Sequence, residues 1–235
     1  MYYSHPLSSP AMTAPLFSHS NRPSIEVTGE GTVSAAPNKA IIVLGVITES
    51  PSLSTAQSEN ASAVTNVINA LLRLNIPREQ IQTVTYRIEI QYNYEDGTQI
   101  FRGYQVTHLL QITIDRVEQT GLVVDTAVNS GANFVSSIRF TIANSEIYYN
   151  QALSTAIQNA GNKANTIART LGATLVRTPV KITEETRFIE PPIPFQASLL
   201  TEGAAIPTPI QPGELEIRAV VRAQYTFFDR SFPSY

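Results

Sequence analysis

Residues 83–114, TVTYRIEIQYNYEDGTQIFRGYQVTHLLQITI, decide the fold class of this chain. Apolar and polar side chains alternate on both sides of the segment Glu95-Asp96-Gly97-Thr98, which is the two-residue period of a β-strand. An Asp-Gly pair between two such runs is typical of a tight hairpin turn. We therefore predict a long β-hairpin whose first strand covers residues 83–94 and whose return strand ends at residue 114.

The first strand of this hairpin is longer than usual. Twelve residues at about 3.3 Å each span about 40 Å, whereas a typical strand has about five or six residues. We expect the tip of the hairpin, from Tyr92 to Phe101, to project beyond the helices that cover the sheet.

The remaining elements surround the hairpin in a mixed order. Helical periodicity predicts helices over residues 53–74, 117–128 and 145–171, and alternation or apolar runs predict strands over residues 25–35, 40–47, 134–142, 176–184 and 215–228. The second strand is expected to pair back on the first. The resulting order, ββαββαβαββ, indicates an α+β fold in which three helices pack on a largely antiparallel sheet of about seven strands. In the longest helix, alanine recurs every four residues from Ala152 to Ala168, which allows close approach to a sheet.

Composition excludes several classes of site. The chain has 235 residues, with 16 Lys and Arg against 19 Asp and Glu, so its formal charge is −3 and phosphate-driven binding of nucleic acid is disfavoured. The absence of cysteine excludes thiolate metal sites and a cysteine nucleophile. Only three histidines are present, and His5 and His19 lie in a Ser/Pro-rich leader. We therefore expect no metal, no cofactor and no catalytic residues, and we predict that the protein is not an enzyme.

Ten of the fifteen prolines fall in two irregular segments. Four lie in residues 1–24, which we expect to form a flexible arm or one that docks on a neighbouring subunit. Six lie in residues 188–213, a connection long enough to suggest a functional or disordered loop. The predicted organisation is thus an arm, one α+β domain over residues 25–228, and a tail over residues 229–235.

The leader also bears on localisation. Residues 1–24 lack the basic region and the uninterrupted apolar run of a secretory signal peptide, and no other run reaches the roughly 18 apolar residues that span a bilayer. We expect a cytoplasmic protein by default, with deposition on a cell or spore surface as the alternative.

Three sets of polar or glycine residues could be taken for sites. Gly29 and Gly31 lie within a strand, so close backbone crossing or a bulge is expected rather than phosphate binding. Glu26 and Glu30 share the polar face of that strand, where solvated carboxylates are commoner than an acid/base pair. His108 lies on the apolar face of the hairpin, which favours a hydrogen-bonded core histidine or one at a subunit contact over a metal ligand.

Aromatic residues of the hairpin form the most suggestive group. They are open to three interpretations. Ordinary cross-strand packing is one, and a protein interface is the second, since tyrosine combines a large apolar area with a polar end. The third, stacking of bases or sugars on the rings, is disfavoured by the acidic net charge. We expect Tyr86 to belong to the core. The candidate oligomer interface comprises Tyr92, Tyr94, Phe101 and Tyr104.

A series of short motifs runs from residue 25 to residue 228: Val27-Thr28-Gly29-Glu30-Gly31, Ala36-Pro37, Gln80-Ile81-Gln82-Thr83, Gly103-Tyr104, Gly131-Ala132-Asn133, Leu171-Gly172 and Pro212-Gly213-Glu214-Leu215. The order of these motifs resembles the SIMPL-domain (DUF541) family, which includes the bacterial periplasmic immunogenic proteins. The resemblance implies α+β protomers that assemble into ring-like or channel-like homo-oligomers associated with the cell envelope and with oxidative stress. It implies no catalytic residues. The chain departs from the family pattern at Asn38, where an Asp commonly follows the proline, and in its leader.

The leading functional hypothesis is a self-assembling, non-enzymatic protein that forms a ring-like, channel-like or fibre-like homo-oligomer, with a possible link to the cell envelope or the stress response. A binding module for a small molecule or an envelope component, with its pocket under the proline-rich loop, is the alternative. An enzyme would require a buried carboxylate pair such as Glu26 and Glu30.

Overall fold

The computed structural model describes residues 23–185, 188–190 and 208–229. Nearly all of the predicted N-terminal arm and C-terminal tail, and most of the proline-rich segment, lie outside these residues. The predictions made for those segments therefore stay predictions.

The described residues form three α-helices and nine strands, which confirms the α+β class. The helices are α1 (Leu53–Arg73), α2 (Thr120–Asn129) and α3 (Ser145–Thr170). The strands are β1 (Ser24–Ala35), β2 (Lys39–Ser50), β3 (Ile81–Glu95), β4 (Thr98–Ile114), β5 (Phe134–Thr141), β6 (Ala173–Leu175), β7 (Lys181–Glu184), β8 (Phe188–Glu190) and β9 (Leu215–Asp229). The strand predicted over residues 176–184 is replaced by the short strands β6 and β7.

All strand pairs are antiparallel, as predicted, but they form two sheets rather than one. One sheet has the order β3-β4-β2-β5, and in the other β9 pairs with β1 on one side and with β6, β7 and β8 on the other. The expectation that β2 pairs back on β1 is wrong. After Pro37 the backbone N–H of Asn38 donates to Thr141 O (3.1 Å) and its Oδ1 accepts from Ala143 N (2.9 Å), so the chain joins the end of β5 instead of reversing.

Helices α1 and α2 cover one face of the four-stranded sheet. Their buried side chains form one core with those of β2 and β4. Its fully buried members include Ile42, Leu44, Val67, Leu71, Leu110, Ile112 and Val123. This core holds the inner part of the predicted hairpin, because β4 lies at the centre of the sheet.

Helix α3 covers β1 and β9 and forms a second core. Its alanines from Ala152 to Ala168 are completely buried, which confirms the close packing expected from their spacing. A Cβ at Gly29 would lie 2.1 Å from the carbonyl oxygen of Ala156, and one at Gly31 would lie 2.1 Å from that of Ala152. The two glycines therefore allow a close crossing of helix and strand, as predicted.

Among the described residues, no helix combines the length and hydrophobicity needed to cross a membrane.

Candidate functional site

Strands β3 and β4 form the predicted hairpin and turn where the sequence indicated. Asp96 and Gly97 have φ angles of 49° and 79°. Positive φ at both central residues is the type I′ geometry, whose twist matches that of the two strands and which Asp-Gly adopts readily. The turn is thus encoded locally.

The hairpin extends past the body of the sheet. Pairing of β2 with β4 ends at Ser50 and Tyr104, and Tyr104 lies opposite Ile90 on β3. Beyond this point, residues 91–103 continue as a two-stranded ribbon, about five residue pairs or roughly 17 Å long. The prediction that the tip projects from the sheet is confirmed.

A bulge in β4 decides which side chains share a face of this ribbon. Gln91 pairs with Gly103 and Tyr92 pairs with Phe101, so Arg102 is an extra residue in β4. An extra residue shifts the alternation of all residues beyond it. Phe101 consequently lies on the same face as Tyr104, although the two are three positions apart.

Three of the four candidate interface residues contact one another on that face. The ring centroids of Tyr92 and Phe101 lie 6.5 Å apart and those of Phe101 and Tyr104 lie 5.4 Å apart, both in edge-to-face geometry. We call Tyr92, Phe101 and Tyr104 the tip cluster. Tyr94 lies farther out, opposite Gln99, and is 74% exposed. The tip cluster packs internally yet leaves much of its surface uncovered, since Tyr92 and Phe101 are 41% and 49% exposed.

The exposed apolar face continues from the tip cluster down β3. Tyr86, Ile88 and Ile90 lie on it and are exposed. The expectation that Tyr86 belongs to the core is wrong, because α1 packs mainly on β2 and β4 and leaves the edge strand β3 open. The Tyr86 hydroxyl instead accepts a hydrogen bond from Gln57 Nε2 of α1 at 3.3 Å.

His108 has the predicted hydrogen bond but is only partly buried, so it is not a core residue, and the alternative of a subunit contact stays a prediction. Its Nε2 lies 3.0 Å from Thr83 Oγ1, and its ring meets that of Tyr86 edge to face at 5.2 Å. Burial lowers the pKa of His108, because a desolvated imidazolium is disfavoured. In the described part of the chain, no three His, Asp or Glu side chains come together as metal ligands do.

Glu49 at the end of β2 anchors the base of the ribbon. It accepts hydrogen bonds from Arg102 and from Gln105 Nε2, the latter at 2.7 Å. Sequence reasoning missed this contact, because Arg102 reaches Glu49 only through the bulge. The three residues connect the projecting segment to the body of the sheet on the side of the ribbon where Gln91 and Gly103 lie.

The two carboxylates considered for acid/base chemistry do not form a shared site. Glu26 and Glu30 lie four residues apart on β1, or about 13 Å. Glu30 is ion-paired with Arg218 at 2.6 Å and Glu26 with Arg222 at 3.3 Å, and both carboxylates are about half exposed. The arrangement is that of surface ion pairs.

The pocket expected under the proline-rich loop lies largely outside the described residues. The end of that connection is held to α2, because Asp125 accepts hydrogen bonds from the backbone N–H and the hydroxyl of Thr208 at 3.0 and 2.5 Å. These bonds lower the pKa of Asp125, since they favour its ionised form.

Comparison with known proteins adds a family match. The model of the SIMPL family, described as a protein of unknown function (DUF541), matches residues 25–225. The chain is 30% identical over 220 residues to the 26 kDa periplasmic immunogenic protein of Brucella melitensis, a match that covers 87% of this chain and 86% of the relative.

More distant relatives match a shorter part of the chain. The uncharacterized protein YggE of Escherichia coli (strain K12) is 26% identical over 146 residues, which is 62% of this chain and 59% of the relative. That of Edwardsiella ictaluri is 25% identical over 154 residues, covering 65% and 64%.

Proposed function

The chain belongs to the SIMPL (DUF541) family, and from this premise we propose that it is a non-enzymatic protein that assembles with copies of itself through the projecting hairpin. The observation that carries the proposal is the uncovered aromatic face of the ribbon. Tyr92 and Phe101 remain 41% and 49% exposed on a segment that lies beyond the sheet and its helices.

The aromatic face is better explained as a surface that contacts a partner than as a contribution to the stability of the protomer. Residues 92–102 are all exposed, so aromatic side chains there add little to the stability of the protomer. Large apolar patches on soluble proteins mark interaction sites, and tyrosine is enriched in interfaces. Edge-to-face packing within the tip cluster holds the rings in place, which lowers the entropy lost when they are buried by a partner.

Two considerations support a second copy of the chain as the partner. The resemblance to SIMPL proteins implies homo-oligomers. The ribbon is also self-complementary in chemistry, since its aromatic face carries no Lys or Arg that would repel a like surface.

The relatives suggest where such an assembly acts. The Brucella relative is named a periplasmic protein, which supports a place at the cell envelope for this chain. A role in the stress response rests on the family resemblance alone.

Particle mass tests the proposal directly. We expect light scattering and negative-stain microscopy of the purified full chain at micromolar concentration to show discrete particles of several copies. The double substitution Tyr92→Ser with Phe101→Ser removes two aromatic anchors worth together about 3 kcal/mol, so the dissociation constant should rise about 100-fold.

The matched control is Val128→Ser, because Val128 is 48% exposed, about as much as Phe101, but lies on α2 and not on the projecting ribbon. It should leave the particle mass unchanged. Because the substituted tip residues lie outside the two cores, circular dichroism should show that all variants fold. A monomeric wild-type protein, or equal effects of the tip and control variants, would refute the proposal.

A further inference from the structure

Strand β3 is an edge strand of the four-stranded sheet. Within the described residues it pairs with β4 alone, so the backbone N–H and C=O groups on its other side face outward. Natural edge strands are usually protected by lysine, proline, strong bulges or short length. Strand β3 has 15 residues and contains no Lys or Pro, so short length, lysine and proline do not protect it, and its one bulge lies near its start, at Val84.

The part of this edge that can accept another strand is long and regular. The bulge in β3 lies at Val84, and residues 85–95 then continue to the turn without an extra residue in β3. The opposite edge strand, β5, has only eight residues and its pairing with β2 is interrupted between Val43 and Leu44. A regular edge is the better template for further pairing.

The charged residues of β3 select a register. Arg87 and Glu89 flank Ile88 on the polar face, with 3.1 Å between Arg87 Nε and Glu89 Oε2. If two β3 strands pair antiparallel about a two-fold axis at Ile88, Arg87 of each copy lies opposite Glu89 of the other. Axes at Arg87 or at Glu89 would instead place like charges opposite each other, which is unfavourable.

The apolar face supports the same register. An axis at Ile88 places Ile88 opposite its own copy and Tyr86 opposite Ile90 of the other protomer. These three residues are exposed in the protomer. Shifting the register by one residue would place this apolar face opposite the polar face of the second copy.

We infer that two copies of this chain join edge to edge along β3, antiparallel and about a two-fold axis at Ile88, to form one continuous eight-stranded sheet. The inference rests on the proposed function and adds the contact surface and its register. Main-chain hydrogen bonds supply the attachment, and the alternating side chains specify the alignment. The tip clusters of the two copies then lie at opposite ends of the shared sheet and remain free for contacts with other dimers.

Disulfide trapping tests the register, because the chain contains no cysteine of its own. Residues directly opposite in antiparallel strands have Cα atoms about 4.5–5.5 Å apart, within reach of a disulfide. Ile88→Cys should therefore give a covalent dimer on mild oxidation of the full chain. Thr85→Cys alone should not, since the two thiols would lie about 20 Å apart, but a mixture of Thr85→Cys and Gln91→Cys proteins should cross-link.

Charge reversal provides a second test. Arg87→Glu alone places two carboxylates opposite each other at both positions, and Glu89→Arg alone does the same with guanidinium groups. Each variant should dimerise about tenfold more weakly than wild type, and an equal mixture should recover the wild-type affinity because opposite charges then face each other. Both positions are exposed, so these variants should retain the wild-type fold, checked by circular dichroism.

The outcomes separate this inference from the proposed function. Cross-linking through position 88 together with recovery in the charge-reversal mixture supports the inference. Wild-type particles of several copies that do not cross-link at position 88 would overturn the edge pairing but would still agree with the proposed assembly through the hairpin. A head-to-tail contact of β3 with β5 would have the same consequence. A wild-type monomer that does not cross-link overturns both.

Discussion

Replacement of Gly29 by alanine should destabilise the protein by forcing α3 away from β1. The added Cβ would lie 2.1 Å from the carbonyl oxygen of Ala156, 2.6 Å from the amide nitrogen of Ala160 and 2.7 Å from the Ala160 Cβ. Two of these three atoms belong to the helix backbone and cannot rotate away. Relief of the contact requires a shift of α3 by about 1 Å or more, since non-bonded carbon atoms approach to about 3.5 Å.

The magnitude follows from the size of that shift. Overpacking of a filled core costs about 1–3 kcal/mol. A shift of α3 would disturb the packing of all five of its fully buried alanines, so we expect a cost at the upper end of this range. A loss of about 3 kcal/mol corresponds to a fall in melting temperature of about 6–12 °C for a protein of this size. Thermal unfolding followed by circular dichroism measures it.

The matched control is Gly161→Ala on α3 itself. A Cβ there meets only the Tyr225 hydroxyl, at an ordinary 3.5 Å. Alanine favours a helix interior by about 1 kcal/mol over glycine, so this variant should melt at or above the wild-type temperature. A second substitution, Ala160→Gly, should not restore the Gly29→Ala protein, because both backbone contacts remain. If Gly29→Ala melts with wild type, the crossing tolerates a Cβ and the reasoning is wrong.

Two further predictions concern a buried polar side chain, Asn60, and a partly buried one, His108. Asn60 is buried, and its Nδ2 donates hydrogen bonds to Val46 O and Val106 O, both at 3.1 Å. Asn60→Leu removes both bonds, so it should lower the free energy of unfolding, measured by urea denaturation, by about 2–3 kcal/mol. An unchanged urea midpoint would contradict this role. The pKa of His108 is lowered by burial. As the pH falls below about 6.5, the imidazole therefore takes up a proton in the unfolded chain while it stays neutral in the folded protein. The stability that His108 contributes above this pH should be lost as the pH falls. His108→Gln, which keeps a hydrogen-bonding group for Thr83, should flatten the profile of melting temperature against pH; an identical slope would exclude His108 as its source.

Elements formed by contacts near in sequence were predictable. The helices predicted over residues 53–74 and 145–171 appear as Leu53–Arg73 and Ser145–Thr170. The turn at Asp96 and Gly97 was also predictable, because a type I′ turn depends on the two residues themselves.

The pairing of distant strands was not predictable. The short connection after Ala35 suggested that β1 and β2 pair, yet β1 pairs with β9, which lies near the other end of the chain. Alternation indicates that a strand has a buried face but carries no information on its neighbour. The neighbour of β1 is determined by the burial of β1 and β9 against α3, since the alanines of the helix and the glycines of β1 fit each other.

The candidate site divides in the same way. From sequence alone, the hairpin, its turn and its aromatic residues followed from alternation and local turn chemistry. The exposure of Tyr86, the contact of Phe101 with Tyr104 and the edge position of β3 depended on tertiary structure. The physical reason is that strand order is set by hydrogen bonds between segments far apart in the chain, and the bulge at Arg102 by how the paired strands β3 and β4 align with each other. Both decide which face of an alternating strand is covered.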